Sequence, residues 1–200
     1  MTADVSRGSH LVVARSNRLA LREKHLDDAR RDYEWRCDPE LARYDGREPL
    51  TDSFAEFQAR QSYDRQFQNP REQMFAIETA DGEHIGNVMY YNARPSEAGA
   101  EFGITIGRSD LHGLGYGTEA TVLFLRHVWE TTPFRSLILH TFEWNERAAR
   151  CFRRAGFDDA GVVERQAGRL LRMEARREWW LFHDSNGRFA GVGERPSSPE

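Results

Sequence analysis

A glycine-rich loop between a strand pattern and a helix pattern constrains this chain most. Residues 101–107 alternate apolar side chains, which predicts a strand, and residues 118–131 repeat them at helical spacing. Between the two lies the loop His112-Gly113-Leu114-Gly115-Tyr116-Gly117. Glycines let a backbone approach a ligand closely, and the free amides of a helix's first turn attract anions. The order of strand, loop and helix therefore suits a diphosphate.

A tight turn is the alternative interpretation of the same loop, because short glycine motifs have high false-positive rates. A dinucleotide fold would need Gly-x-Gly-x-x-Gly in an early βαβ unit, and a Walker loop would need Gly-Lys-Ser/Thr. Neither pattern occurs. The spacing alone leaves the turn and the anion site both open.

A second pattern follows the loop and its helix. Residues 137–139 read as a strand, Asn145 is a good N-cap, and Ala148 and Phe152 fall on one face of the predicted helix. Gly156 then suits a helix stop in the left-handed conformation. The segment therefore predicts a strand, a capped helix and a sharp turn.

Together the two segments resemble the GNAT superfamily of acyl-CoA N-acyltransferases. The superfamily signature Gln/Arg-x-x-Gly-x-Gly/Ala is matched at Gly115 and Gly117, with His112 in place of the usual first residue. A second family spacing, Asn-x-x-Ala-x-x-x-Tyr-x-x-x-Gly-Phe, is matched at 145–157, with Phe152 in place of tyrosine. Trp35, Asp38-Pro39 and residues 116–120 look like the branch of ribosomal-protein alanine and spermidine N-acetyltransferases.

The resemblance implies an α+β (mixed α/β) fold in a single domain, with a bent mixed sheet of about six or seven strands flanked by helices. It places the pantetheine of acetyl-CoA between parallel strands 101–107 and 136–143, where the sheet splays. Residues expected to contact the coenzyme are Ile104, Thr105, Ile106, His112, Gly113, Leu114, Gly115, Tyr116, Gly117, Thr118, Asn145 and Phe152. Both chain ends are small and polar, so we expect a domain over 11–184 with flexible ends at 1–10 and 185–200.

The implied reaction is acetyl transfer to a primary amine, on a protein N-terminus or a small amine such as a polyamine, by direct attack in a ternary complex. Glu101 and Glu143 border the expected cleft and are the candidate general bases, although a solvated strand-end carboxylate is the ordinary interpretation of each. Phe152 carries no proton for the leaving thiolate, which a thiol pKa of about 8.5 makes tolerable. The alternative is a non-catalytic acyl-CoA-binding or regulatory module.

Composition narrows the classes further. A net charge of -4 lacks the basic balance of a nucleic-acid binder. Cys37 and Cys151 give no disulfide framework, and neither cysteine nor histidine spacing predicts a metal site. No apolar run is long enough to span a membrane, so we expect a cytoplasmic protein.

Other local patterns predict elements outside these motifs. They are a strand at 19–22, a helix at 27–36, a helix from the Ser53–Glu56 capping box to about Phe67, a hairpin of 74–79 with 84–91 around Asp81-Gly82, and a closing strand at 179–182. The outward aromatic face of that last segment is the candidate contact for a homodimer.

Overall fold

Eight strands form one mixed sheet in the order β1-β2-β3-β4-β5-β6-β8-β7. The structure, a computed structural model, describes residues 11–66 and 69–192. The strands are β1 Val12–Arg15, β2 Leu19–Glu23, β3 Gln73–Thr79, β4 His84–Arg94, β5 Gly99–Ile106, β6 Ser136–Phe142, β7 Asp158–Arg165 and β8 Gly168–Arg176. The mixed α/β single domain is confirmed, but the expected six or seven strands were too few. Short, partly exposed β1 has too weak an alternation to be read from sequence.

Six α-helices within the described residues flank this sheet. They are α1 Ala29–Cys37, α2 Pro39–Asp45, α3 Phe54–Gln66, α4 Tyr116–Thr131, α5 Glu146–Arg154 and α6 Arg177–Ser185. The expected capping box starts α3, since the Ser53 amide donates to the Glu56 carboxylate at 2.8 Å. The end expected for α3, near Phe67, lies outside the described residues.

The predicted hairpin is confirmed as β3 and β4, which pair antiparallel from Gln73↔Tyr90 to Glu78↔His84. Gly82 has a φ of 85° in its turn. The third strand expected after it, β5, pairs antiparallel with β4. These strands bring residues 99–106 to the middle of the sheet.

Helix α4 packs against β1, β2, β4 and β5. Its residues Val122, Leu125 and Trp129 are buried in the continuous core, because apolar residues at helical spacing face the sheet together. This packing fixes the direction of α4, and with it the position of the glycine loop at its start.

Helix α5 begins and ends as the sequence predicted. The Asn145 side chain accepts a hydrogen bond from the Ala148 amide at 3.2 Å, which caps the first turn. At the other end the amides of Phe157 and Gly156 donate to the carbonyls of Phe152 and Arg153, which is the Schellman pattern. Gly156 has a φ of 97°, as that pattern requires.

The expected closing strand at 179–182 is wrong, because these residues belong to helix α6. Trp180 is fully buried and its indole N–H donates to the Ala155 carbonyl at 2.8 Å, while Phe182 is 65% exposed. Helical spacing turns one tryptophan inward against the end of α5. Tertiary packing has therefore overridden the β-propensity of an aromatic run.

The fold extends past the boundary expected at residue 184. Phe189 is buried and stacks on Trp180, with ring centroids 4.8 Å apart. The Arg126 guanidinium donates to the Phe189 carbonyl at 3.1 Å. Residues 185–192 therefore pack against the core, while residues 1–10 and 193–200 lie outside the described residues.

Candidate active site

The sheet opens between its two parallel strands. β5 and β6 are in register only at Gly99↔Ser136, Ala100↔Leu137 and Glu101↔Ile138. Beyond Glu101 the strands separate and border a cleft of about 1190 Å³. This splayed sheet is the arrangement that the family resemblance implied.

The residues expected to contact a coenzyme fall into two groups around this opening. Ile104, Thr105, Asn145 and Phe152 belong to the lining of the cleft. Ile106 lies at the end of β5, and the glycine loop follows it at the start of α4. From Glu101 to Ile106 the open strand extends for about 16 Å, at about 3.3 Å per residue.

The start of α4 can bind an anion. Gly115 is its N-cap, with a φ of 89° and no side-chain capping hydrogen bond. The amides of Tyr116, Gly117 and Thr118 occupy the first turn, where no intrahelical acceptor exists. A Cβ at Gly113 would meet no atom within 4 Å, so the loop surface is open. Open amides at a helix N-terminus fit a diphosphate.

His112 ties the loop to two other elements. Its Nδ1 lies 2.8 Å from an Arg147 guanidinium nitrogen, and its Nε2 lies 2.8 Å from the Ile106 carbonyl oxygen. Because a guanidinium only donates, Nδ1 accepts and the Nε2–H donates. The ring therefore holds the end of β5 and the start of α5 together beside the loop.

Arg18 supports the glycine loop, a role that its position in the sequence did not predict. Its Nε donates to the carboxylate of Glu119 at 2.8 Å, and its Nη1 donates to the Leu114 carbonyl at 3.3 Å. The guanidinium also lies 4.7 Å from the Tyr116 ring centroid. Glu119 is buried and accepts a further bond from Ser16. The turn between β1 and β2 thus fixes the glycine loop.

Cys151 lies where helices α4 and α5 pack closely against each other. Its Sγ would lie 3.4 Å from a Cβ added at Gly117, and the Thr118 hydroxyl donates to it at 3.4 Å. Burial raises the pKa of the Cys151 thiol, which disfavours the nucleophilic thiolate. The cysteine is therefore a packing residue.

Phe152 is buried at the wall of the cleft. Its ring packs edge-on against Phe102 and Phe157, with centroids 5.9 Å and 6.0 Å apart. An apolar ring in this position offers no hydrogen bond to a leaving thiolate. Any proton must come from elsewhere, and water is the simplest donor.

The two candidate bases occupy different environments. Glu101 lies at the fork of β5 and β6, its side chain is 20% exposed, and it accepts a hydrogen bond from the Asn92 amide at 3.1 Å. Glu143 is absent from the cleft lining, and its carboxylate lies 3.0 Å from the Arg169 guanidinium. Only Glu101 faces the opening between the strands.

His140 joins Glu101 in the cleft. Its Nδ1 lies 4.0 Å from a Glu101 carboxylate oxygen across the forked strands. Burial lowers the pKa of His140, and this outweighs the opposite effect of Glu101. The imidazole is therefore neutral at pH 7 and can accept a proton. A lone histidine in a strand carries no motif, so the sequence did not predict a role for this residue.

A buried polar cluster forms one wall of the cleft. The Asp32 carboxylate accepts hydrogen bonds from the Lys24 ammonium at 2.6 Å and from the Asn87 amide at 2.8 Å. Burial lowers the pKa of Lys24, although Asp32 opposes that effect. Lys24, Asp32 and Asn87 bond one another within the cluster. We therefore assign them a structural role in the wall of the cleft.

The described residues contain neither a candidate membrane span nor a candidate metal site. None of their helices combines the length and apolar character that crossing a bilayer requires. Among residues 11–66 and 69–192, no group of three or more histidine, cysteine or acidic side chains is arranged to bind a metal. Both cysteines in this part of the chain are free.

Solved structures share this fold. Spermidine N-acetyltransferase from Vibrio cholerae, in complex with CoA and spermine, is 21% identical with a TM-score of 0.73, over 82% of this chain and 98% of that one. Aminoglycoside acetyltransferase AAC(6')-Ib with coenzyme A is 19% identical with a TM-score of 0.69, over 83% and 99%. An uncharacterized Bacillus halodurans protein is 14% identical with a TM-score of 0.70, over 88% of this chain and 93% of that one. These likenesses establish the fold.

Family membership rests on the sequence itself. No curated protein matches the chain significantly. The sequence profile of the acetyltransferase (GNAT) domain matches residues 18–158, which include the forked strands, the glycine loop and α5. The chain therefore belongs to the GNAT acetyltransferases, which transfer an acetyl group from acetyl-CoA to an amine.

Proposed function

We propose that the protein acetylates a primary amine bound beside Glu101, by direct attack on the thioester in a ternary complex. The observation that carries this proposal is the order of groups along β5. A half-buried carboxylate stands at the fork, an open strand follows, and an uncapped helix start lies at its far end. The acetyl donor, bound from the helix start, and the amine acceptor, bound beside Glu101, can therefore meet at the fork.

The donor would be held by backbone groups. First-turn amides from Tyr116 to Thr118 suit its diphosphate, and the open edge of β5 at 104–106 supplies amides for the acyl carbonyl. Asn145 and Phe152 line the cleft and would contact the pantetheine. When bound, acetyl-CoA supplies the activated acetyl group, and the chain orients it.

The acceptor must lose a proton before it attacks. We assign that proton to Glu101, with neutral His140 4.0 Å away as the next acceptor. Glu143, on the outer surface with Arg169, is the alternative base in this proposal. The thiolate leaves without a protonating side chain at Phe152 and takes its proton from water.

The acceptor is proposed to be a protein N-terminus or a small amine. The spermidine and aminoglycoside acetyltransferases of the same fold favour the small amine. A cytoplasmic location also belongs to the proposal, since free Cys37 and Cys151 suit a reducing compartment.

A homodimer is a separate part of this proposal. Phe182 is 65% exposed and Leu181 is 37% exposed on the outer face of α6. A partner would bury these side chains. Sedimentation velocity of the wild type and of Phe182→Ser measures the oligomeric state, and a monomeric wild type removes this part of the proposal.

Calorimetry followed by an acceptor screen tests the function. Acetyl-CoA should bind with one site per chain, and release of free coenzyme A over a panel of peptides and amines should identify the acceptor. Mass spectrometry of the product locates the acetyl group. Absence of binding at millimolar acetyl-CoA overturns the proposal, whereas binding without turnover across the panel favours the non-catalytic module.

A further inference from the structure

Three arginines in the cleft have no ionic partner within the described residues. Arg47, Arg165 and Arg172 line the cleft without a hydrogen bond or ion pair from their side chains. The other two arginines of the lining differ, because Arg36 lies 4.0 Å from Asp45 and Arg94 lies 3.1 Å from Glu97. The cleft therefore contains positive charge that no neighbouring carboxylate neutralises by direct contact.

The cleft's acidic side chains are mostly engaged elsewhere. Their partners are Lys24 for Asp32, Arg36 for Asp45, Arg94 for Glu97 and the neutral Asn92 amide for Glu101, while Glu72 has none within the described residues. Most of the negative charge is thus already committed within the protein.

One of these arginines is close to the proposed reaction centre. Arg172 on β8 is the antiparallel partner of His140 on β6. Directly opposed residues have Cβ atoms about 4.5–5.5 Å apart on the same face of a sheet. His140 in turn faces Glu101. The positive charges of Arg165 and Arg172 also act on the His140 ring, adding to the effect of burial in lowering its pKa.

We propose that the acceptor carries a carboxylate as well as its primary amine, and that Arg172 binds this carboxylate, with Arg165 and Arg47 adding positive potential. A planar guanidinium fork matches a carboxylate in a bidentate pair. A polyamine would instead bring several positive charges towards unpaired arginines. The acceptor class is thus an amino acid or an N-terminus followed by an acidic residue. This inference rests on the proposed amine acetylation.

Acceptors matched in everything but charge test the inference. The peptide amides Ala-Asp-Gly and Ala-Asn-Gly form one pair, free alanine and alaninamide form a second, and spermidine is the polycation. Rates are compared per neutral amine. We expect kcat/KM to be higher for the carboxylate member by at least about tenfold, the size of one charge-assisted hydrogen bond. The peptide and amino-acid pairs distinguish the two sources of the carboxylate.

Two arginine variants on β8 complete the experiment. Arg172→Gln should reduce the tenfold preference to less than about threefold. Arg176→Gln changes the same strand outside the cleft lining and should keep the preference. Equal turnover of both members by the wild type, or a preference that survives Arg172→Gln, overturns the inference.

A binding measurement separates this inference from the proposed function. The affinity of Ala-Asp-Gly amide for the coenzyme A-saturated protein is measured with wild type and Arg172→Gln. If no acceptor is acetylated but the affinity falls about tenfold in the variant, catalysis fails and the carboxylate site stands. If the affinity does not change, the carboxylate site is wrong whether or not acetylation occurs.

Discussion

Glu101 and His140 face each other where the parallel strands fork, with a carboxylate oxygen and Nδ1 4.0 Å apart. The carboxylate is bonded to Asn92, and the imidazole is half-buried. A substrate ammonium placed between the strands would meet both groups. The pair thus offers a first and a second acceptor for one proton.

Glu101→Gln should lower kcat/KM by at least about 10²-fold at neutral pH, because general-base assistance contributes about 10²- to 10⁴-fold. The affinity for acetyl-CoA should barely change. The loss should shrink as pH rises, since more of the acceptor amine is then already neutral. Near-normal rates of Glu101→Gln from pH 6 to 9 would exclude Glu101 as the general base. A loss of the expected size in Glu143→Gln would then assign the role to Glu143.

Because His140 lies beside the proposed base, we expect activity to fall on the acid side of the pH–rate profile. Burial lowers its pKa below the ordinary value, so the ring is neutral above that pKa and gains a proton as pH falls through it. The protonated ring repels an ammonium acceptor and cannot accept its proton. Activity should therefore decline at a pH below the ordinary histidine range, and this acid limb should weaken in His140→Gln. An identical limb in both proteins would assign it to another group.

Gly115→Val should weaken acetyl-CoA binding by more than about tenfold, because a β-branched side chain disfavours positive φ and covers the first-turn amides. Gly82→Val is the control, since Gly82 has a similar φ of 85° in the distant hairpin. Calorimetry on folded variants makes the measurement. Unchanged affinity in Gly115→Val would exclude the helix start as the diphosphate site.

The pair of Arg18 and Glu119 should act on coenzyme affinity as one unit. Arg18→Gln removes the guanidinium that bonds both Glu119 and the Leu114 carbonyl, and Glu119→Gln removes the charge that Arg18 pairs with. Acetyl-CoA affinities of both variants and their double variant form a cycle, with an expected coupling of about 0.5–3 kcal/mol. Additive losses would show that the two side chains act independently.

Gly156→Ala should destabilise the fold through a steric clash. An added Cβ would lie 2.6 Å from the Trp180 ring, at a φ of 97°. Gly161→Ala is the matched control, because Gly161 also has positive φ but no atom within 4 Å of the added Cβ. Chemical denaturation should show Gly156→Ala losing at least about 1 kcal/mol more than the control. Equal losses would mean that backbone strain alone matters.

Local chemistry explains which elements the sequence could predict. Asp-Gly in the hairpin, the capping box at Ser53 and the Asn145 cap each specify a backbone geometry within a few residues. Helix α6 could not be predicted this way, since its aromatic run has strand propensity and its packing partners, such as the Ala155 carbonyl that Trp180 bonds, are distant in sequence. Helix α2 was also not predicted, although Asp38 is its N-cap and Pro39 is its first residue.

The residues of the candidate site also differ in whether a local motif could predict them. The glycine loop is a continuous motif, and Glu101 could be proposed from the strand that precedes it. Arg18 and His140 acquire their positions through pairings between distant segments, at separations of 101 residues for Arg18 with Glu119 and across β5 and β6 for His140. Without those pairings neither residue differs from an ordinary surface arginine or strand histidine.

The brief pairing of β5 with β6 also has a mechanical meaning. Strands β1 to β5 form one plate and β6, β8 and β7 form another, and three residue pairs join them within the sheet. At this joint a Cβ added to Gly99 would lie 3.2 Å from the Ser136 carbonyl oxygen. That distance is shorter than ordinary van der Waals contact, so a side chain at position 99 would press on the backbone of β6. A missing Cβ at Gly99 thus lets the two parts of the sheet approach closely enough to pair at this joint.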